Sequence, residues 1–315
     1  MGIASLGSRA IIGEFYRLLA QDIGAGWIPG ISMLFNSDQE SETYKWLGMV
    51  PAMREWIGKR HAKGFFDNGV TIANKKYEAT LEVLLEDLRR DKTSQTMIRV
   101  AELVTRTQSH WAKLLSALMI AGEATTCYDG QYFFDTDHVE GNNSTSQSND
   151  LSIDISALPA AVAGSTTTPS PEEAALVVLQ CIEAIYGFKD NENEPMNETS
   201  QNFLVMCPIP LFSSFAAAVQ NKIFAGGATD TLANSNFNVD IAANARLTWT
   251  EQIVVYRTDG SVKPFIRQEE TPVSFKAVAE GSELEFNEDI HHYGVSAQRN
   301  VGYGYWQHAC MATMT

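Results

Sequence analysis

The run SQTMIRVAELVTRTQSHWAKLLSALMI, residues 94–120, decides how the rest of this chain is read. Met97, Ala101, Val104, Trp111, Leu115 and Leu118 recur at steps of three, four or seven, which predicts one apolar stripe along a helix. Ser94 suits the N-cap and Gly122 marks the stop. At 1.5 Å per residue such a rod is roughly 40 Å long, well beyond the usual three or four turns. Arg99, Glu102, Arg106 and Lys113 lie off the stripe. A long helix with one narrow apolar face reads as a backbone laid across a sheet.

Upstream of it, Val70 to Val83 has a strand-like pattern. Before that, YKWLG (44–48) and MREWIGKR (53–60) interleave aromatics with charges. Lys59, Arg60, His61 and Lys63 then sit among Gly64, Asn68 and Gly69, which are turn formers. The pattern predicts a long two-stranded excursion with a basic, glycine-rich tip. Such a ribbon is marginal alone and needs something to lie on. Trp46 and Trp56 sit in segments too short and too charged to bury them locally. Mixed with Arg54 and Arg60, they have the composition of protein–protein anchors. Further upstream, residues 4–20 predict one amphipathic helix through Leu6, Ile11, Phe15 and Leu19. Gly24-Ala25-Gly26 does not fit a nucleotide-binding GxGxxG, and the expectation is an extended, flexible arm to about residue 43.

Downstream, residues 139–170 hold eleven Ser/Thr, no aromatic residue and no Lys or Arg. The composition predicts a surface loop without a core. Order returns at Ser170-Pro171-Glu172-Glu173, a capping box with proline at the first helical position. The helix that follows buries Val177, Val178, Cys181, Ile182 and Ile185 and stops at Gly187. Phe203 to Met206 reads as a buried strand and 210–220 as a short helix. Strands are expected at 251–257, 272–278 and 284–287, with a last aromatic strand over Val301 to Met314. Helices and strands without regular βαβ alternation favour an α+β fold. Trp111 and Trp306 are expected in the core.

The 315 residues are 44% hydrophobic and only 19% charged. That is a globular composition with room for a large core. The net charge of −15 excludes a strongly basic nucleic-acid-binding surface. Residues 1–120 carry 15 Lys/Arg and 13 Asp/Glu, a net of +2, and the remainder carries 8 and 25, a net of −17. No stretch reaches the roughly 18–20 apolar residues of a membrane span, and a secretory signal is not evident. Cys127, Cys181, Cys207 and Cys310 lack CxxC spacing, so they read as buried free thiols.

Catalytic patterns are scarce. Asp135-Thr136-Asp137-His138 could offer oxygens to a hard metal, but no second cluster completes a ligand set, and a polar turn is the simpler reading. His291 and His292 would point to opposite faces of a strand, so the expectation there is an ordinary surface or interface role. No GxSxG, HExxH or P-loop occurs. The expectation is no enzyme, no cofactor and no metal.

Long runs carry a family resemblance: YKWLG (44–48), MREWIGKR (53–60), NKKYEATLEV (74–83), LEDLRRD (85–91), CYDGQYFFDTDH (127–138) and YGVSAQRNVGYGYWQHA (293–309). With these the chain resembles the major head subunits, or major capsid proteins, of Mu-like bacteriophages and prophages. The resemblance implies the Hong-Kong-97-type phage capsid fold. It would give an N-terminal arm at 1–45, an extended loop at 46–80 and a peripheral domain at 81–138 with its spine helix at 94–120. An axial domain would follow at 139–292, and 293–315 would be a C-terminal strand returning to the peripheral domain. It implies self-assembly as pentamers and hexamers into an icosahedral virion head, built in the bacterial host cytoplasm. That head would enclose double-stranded DNA without sequence-specific binding and without membrane. A portal and a separate scaffold protein are expected partners, the latter because no long N-terminal scaffolding segment precedes the arm. A decoration protein is a further candidate. The expected inter-subunit residues are Trp46, Arg54, Trp56, Lys59, Arg60, Lys63, Phe65 and Phe66. An encapsulin-like bacterial nanocompartment is the alternative reading.

Overall fold

Two patterns of side-chain burial sort the strands into two main sheets. The computed structural model describes residues 8–20, 25–45, 69–90, 95–139, 145–191, 193–221, 223, 232 and 235–315. In chain order the elements begin with α1 (Ser8–Leu19), α2 (Ile28–Ile31), β1 (Ser32–Asn36), β2 (Ser41–Tyr44), β3 (Val70–Ala73) and β4 (Lys75–Leu84). Next come α3 (Leu85–Arg90), α4 (Gln95–Gln108), α5 (His110–Ile120), β5 (Asp150–Ile153), α6 (Pro171–Gly187), β6 (Asn202–Cys207) and α7 (Phe212–Gln220). The chain closes with β7 (Asn238–Ala243), β8 (Gln252–Arg257), β9 (Phe265–Val278), α8 (Glu283–Glu288), β10 (Ile290–Tyr303) and β11 (Ala309–Met314).

The first sheet has four strands in the order β1-β9-β10-β4, and the second has five in the order β5-β11-β8-β6-β7. β10 is buried at every second residue from His291 to Arg299, as a strand with one covered face must be. Helices α1 and α4 cover that face. Ile11 and Phe15 of α1 and Val100 and Val104 of α4 pack with Val83, Phe275, Tyr293 and Val295. In contrast, β6 and β8 are continuously buried through their centres, the pattern of strands covered on both sides. They belong to a larger core that includes α6.

Within the 94–120 run, α4 and α5 form a helical rod in two pieces, over 95–108 and 110–120. Ser109 keeps a right-handed helical backbone, and the amides of Ser109 and Lys113 bond the carbonyls of Thr105 and Ser109. The Ser109 hydroxyl meanwhile donates back to the Arg106 carbonyl at 3.0 Å, a bond that locally disturbs helices. The expected N-cap, Ser94, lies outside the described residues. The apolar stripe serves two cores in turn. Val100 and Val104 face the four-stranded sheet, and Leu115 and Met119 join the larger core.

Several expectations need correction. Residues 28–44 are not an extended arm, because β1 pairs in parallel with β9 from Ser32↔Phe265 to Asn36↔Glu269. The amphipathic helix expected at 4–20 does form, over Ser8–Leu19, and it is packed, with Ile11 and Phe15 fully buried. Residues 139–170 are not merely a loop. β5 pairs with β11 and buries Ile153, so a few well-placed apolar residues sufficed where composition was poor. Residues 284–287 form the helix α8 and not a strand. The Ser282 side chain accepts the Glu285 amide at its start, and Asp289 ends it at φ 54°. Residues 301–314 are two strands. β10 ends at Tyr303, a 3-10 turn at Trp306–His308 follows, and β11 begins.

The sheets also divide the chain differently from the expected limits. β9, expected with residues 139–292, pairs with β10 over most of its length. Of residues 293–315, expected as one strand returning to the peripheral domain, the β10 part pairs with β4, whereas β11 lies between β5 and β8. Its side chains are almost all buried, and only a strand covered on both faces accommodates that. The α6 expectation holds in detail. Ser170 accepts the Glu173 amide, the Glu173 carboxylate accepts the Ser170 amide, and the five expected apolar residues are buried.

Candidate inter-subunit surface

Residues 46–68 separate β2 from β3 in the sequence and lie outside the described residues. All eight expected contact residues, Trp46, Arg54, Trp56, Lys59, Arg60, Lys63, Phe65 and Phe66, lie outside the described residues. What the structure describes is the stem that carries them. β2 and β3 pair antiparallel from Ser41↔Ala73 to Tyr44↔Val70. The Thr43 and Thr71 hydroxyls meet across the ribbon at 2.9 Å.

The stem is fixed to the four-stranded sheet by buried polar contacts. The Tyr44 hydroxyl donates to Gln268 Oε1 at 2.8 Å, and Gln268 Nε2 donates to the Ile72 carbonyl at 3.1 Å. Gln268 is fully buried on β9, so both ends of its amide being bonded removes a desolvation cost. Burial, with Glu42 nearby, pushes the Tyr44 hydroxyl up to about 12, which keeps it a neutral donor. Asn74 Nδ2 donates to the Gln39 carbonyl at 2.8 Å, and Asn300 Nδ2 donates to the Ala73 carbonyl at 2.7 Å. Gly302 completes the fit. A Cβ there would stand 2.4 Å from Ile72 Cδ1, so a larger residue at 302 would force the Ile72 side chain to move.

Beside the stem, Arg299 is buried at 4% exposure. It lies 4.7 Å from the centre of the Trp111 ring and donates to the Thr107 carbonyl at 3.3 Å. Arg267 approaches the same ring at 5.5 Å. Burial lowers both guanidinium pKa values, while Glu269 pulls the other way. Trp111 is thus partly buried under two cations, a polar edge of the core, whereas Trp306 is fully enclosed. A groove of roughly 220 Å³ opens between α4, α5 and the sheet, with Leu103, Val295 and Ala297 along its floor.

The remaining chemical candidates serve the fold. His138 Nδ1 lies 2.6 Å from Asp129 Oδ2, and its Nε2 lies 3.2 Å from Asn149 Oδ1. The ring stacks on Trp306 at 3.9 Å and 9°. His138 is therefore committed to a buried packing unit, and among the described residues no group of three potential metal ligands gathers. His291 and His292 do face opposite ways. His292 is half-exposed beside Glu82, but His291 is buried with Nε2 3.3 Å from Glu285, so its role is internal and not a surface one. The four cysteines are free and buried.

Sequence reasoning missed Gln268, Asn300 and Arg299. Gln268 and Asn300 sit in strand patterns as ordinary polar residues. Gly302, a glycine inside an apolar strand, was the available signal of close approach.

The profile of the family described as Mu-like prophage major head subunit gpT matches residues 15–158 and 224–315. The chain is similar to the Mu-like prophage FluMu major head subunit of Haemophilus influenzae, 37% identical over 124 residues, 38% of this chain and 40% of that protein. It is also similar to the major capsid protein of Escherichia phage Mu, 35% identical over 108 residues, 34% of this chain and 35% of that protein. The matched stretches thus span less than half of either curated relative. Among solved structures, the procapsid of bacteriophage JBD30 superposes with a TM-score of 0.58 at 25% identity. That alignment covers 98% of this chain and 74% of the other.

Proposed function

The chain belongs to the Mu-like prophage major head subunit family, and we propose on that ground that it is the repeating tile of an icosahedral phage head. The observation that carries this is the family profile over both the β2–β4 region and the C-terminal strands, joined to a fold shared with a phage procapsid protein. The match to head subunits favours this reading over the encapsulin-like alternative. The chain's work is then contact and not turnover, and its principal partner is itself.

On this reading residues 46–68 are the distal part of the extended loop and the β2–β3 ribbon is its stem. The four-stranded sheet with α4 and α5 takes the peripheral role, and the five-stranded sheet with α6 and α7 takes the axial one. The loop of one copy lies over its neighbour. Trp46, Arg54, Trp56, Lys59, Arg60, Lys63, Phe65 and Phe66 supply aromatic anchors and cations to that overlap. Heterologous contacts of this kind close as rings of five and six. Many weak overlaps sum to a strong shell by multivalency. The near-neutral first 120 residues hold the overlapping parts, where burying charge is costly. The acidic remainder limits adhesion to the phosphates of enclosed double-stranded DNA. A scaffold protein, a portal and a decoration protein are the further partners. Assembly takes place in the bacterial host cytoplasm.

The test is a deletion that respects the stem. Because β3 begins at Val70, the cut should span 59–66 and stop short of Gly69. Negative-stain microscopy should show closed shells for the full chain and none for the deletion, with circular dichroism unchanged. Normal shells from the deleted chain would refute the overlap mechanism.

A further inference from the structure

The groove beside the stem has an electrostatic character that the extended loop does not suit. Its floor is apolar, through Leu103, Val295 and Ala297, and its walls carry Arg106, Lys113 and Arg299 with one lining carboxylate, Glu78, while Glu269 lies behind the wall 3.9 Å from Arg299. Arg106 and Lys113 are exposed. Arg299 is buried at 4% exposure, and its Nε has no hydrogen-bond partner among the described residues. His110 Nδ1, also on the wall, is likewise buried without one. The unpaired buried donor of Arg299 at the side of an apolar slot is costly until an acceptor arrives. The slot therefore fits a segment with an apolar anchor and carboxylates beside it.

The basic loop segment, with Lys59, Arg60 and Lys63 and no acidic residue from Trp56 to Phe66, has the wrong charge for this slot. The turn between β9 and β10 has the right one. Residues 280–289 hold Glu280, Glu283, Glu285, Glu288 and Asp289 with no Lys or Arg. Phe286 projects from that turn at 90% exposure, the most exposed large apolar side chain among the described residues, and α8 buries none of its own residues. Glu285 is already held by the Gly281 amide and His291, which leaves Glu283 and Glu288 to flank the phenyl ring.

We propose that the α8 turn of a second copy of this chain docks in the groove between α4–α5 and the four-stranded sheet, with Phe286 on the apolar floor and Glu283 and Glu288 toward Arg106, Lys113 and Arg299. The contact rests on the reading that copies of this chain assemble, and it adds a second link that uses charge of the opposite sign to the loop overlap. An aromatic anchor ringed by charge is the usual form of an interface hot spot, and the complementary potential sets which copy fits where.

The test uses full-length chains and engineered cysteines. Chains carrying Asn287→Cys are mixed with chains carrying Ala79→Cys, assembled and oxidised, and covalent dimers are counted on a denaturing gel. Mixed samples should give dimers that neither variant gives alone. Adding Phe286→Ala, or Arg106→Glu with Lys113→Glu, should lower the yield at least tenfold. Combining the reversed groove with Glu283→Lys and Glu288→Lys on the partner should restore it. Such rescue cannot come from a fold defect. Microscopy of the same samples keeps the two readings apart. Shells without tip–groove dimers overturn this contact and leave the shell reading standing, whereas folded chains that form no shells count against both. A yield indifferent to Phe286, or Ala79→Cys captured by another segment or another protein, also overturns it.

Discussion

The two sheets of this molecule have been given opposite tasks, and their burial shows it. The five-stranded sheet hides its three central strands, β11, β8 and β6, on both sides, and polar residues in the segments packed beside it are spent inward. Asn197 Nδ2 donates to the carbonyls of Ile185 and Gln307 at 2.8 Å each, and Gln307 Nε2 donates to the Tyr128 hydroxyl at 2.9 Å. The four-stranded sheet covers one face only. It carries the stem, the groove and the Phe286 turn. A body covered on both sides sits beside a sheet that, on the proposed reading, is the platform for neighbouring copies. The rod of α4 and α5 joins them, with one end in each core.

The largest expected effect is in the body. Trp306→Ala removes a fully enclosed indole that stacks on His138 and meets Phe188 edge-on. It should destabilise the chain by about 3–5 kcal/mol, read as a lower denaturant midpoint. A loss under about 1 kcal/mol would mean that the two-sided core is less tightly built than its burial implies. Next is the platform. Gly302→Ala should cost about 1–3 kcal/mol by overpacking against Ile72. Its signature is faster amide exchange in β3 with α6 unaffected. Ile72→Ala should relieve part of the loss in the double variant, and strictly additive losses would refute the contact.

A smaller effect tests the body's edge. Ser170→Ala removes the α6 cap and should cost about 1 kcal/mol, with Glu173→Ala adding less than its own single loss because the two bonds are reciprocal. The smallest concerns pH. Burial, with Glu123 and Asp135 nearby, pushes the Asp150 carboxyl up to about 6. The folded state thus holds a proton that the unfolded chain has released. That contribution is present below the usual carboxylate range near pH 4 and is lost as pH rises toward 6. Asp150→Asn should raise the melting temperature at pH 7 and leave it nearly unchanged at pH 4. The reverse order would show the carboxylate to be stabilised in place.

What the sequence disclosed divides along the same line. Elements whose evidence is local were legible. The Ser170 capping box, the apolar stripe of 94–120 and the Phe203–Met206 strand each follow from spacing within a few residues. Elements fixed by distant partners were not. β1 reads as arm because its strand character depends on β9, more than 200 residues away. β11 reads as a continuation of β10 because nothing in VGYGYWQHA tells a strand to change sheets. The residues of 46–66 expected to make contacts stood out by composition, but the polar residues that secure the β2–β3 stem did not. Gln268 acquires its meaning only from Tyr44 and Ile72.

That stem has a mechanical consequence. Any pull on residues 46–68 enters the molecule at Tyr44 and Val70, the first pair of the ribbon. If only the β2–β3 ladder held, its bonds would open one after another, as a zipper does. Gln268 instead ties a side chain of one ribbon strand and a carbonyl of the other to β9, and Asn300 ties Ala73 to β10. A tug on the excursion is therefore shared at once by two central strands of the sheet, and the anchorage fails by shear across many bonds rather than by peeling of one.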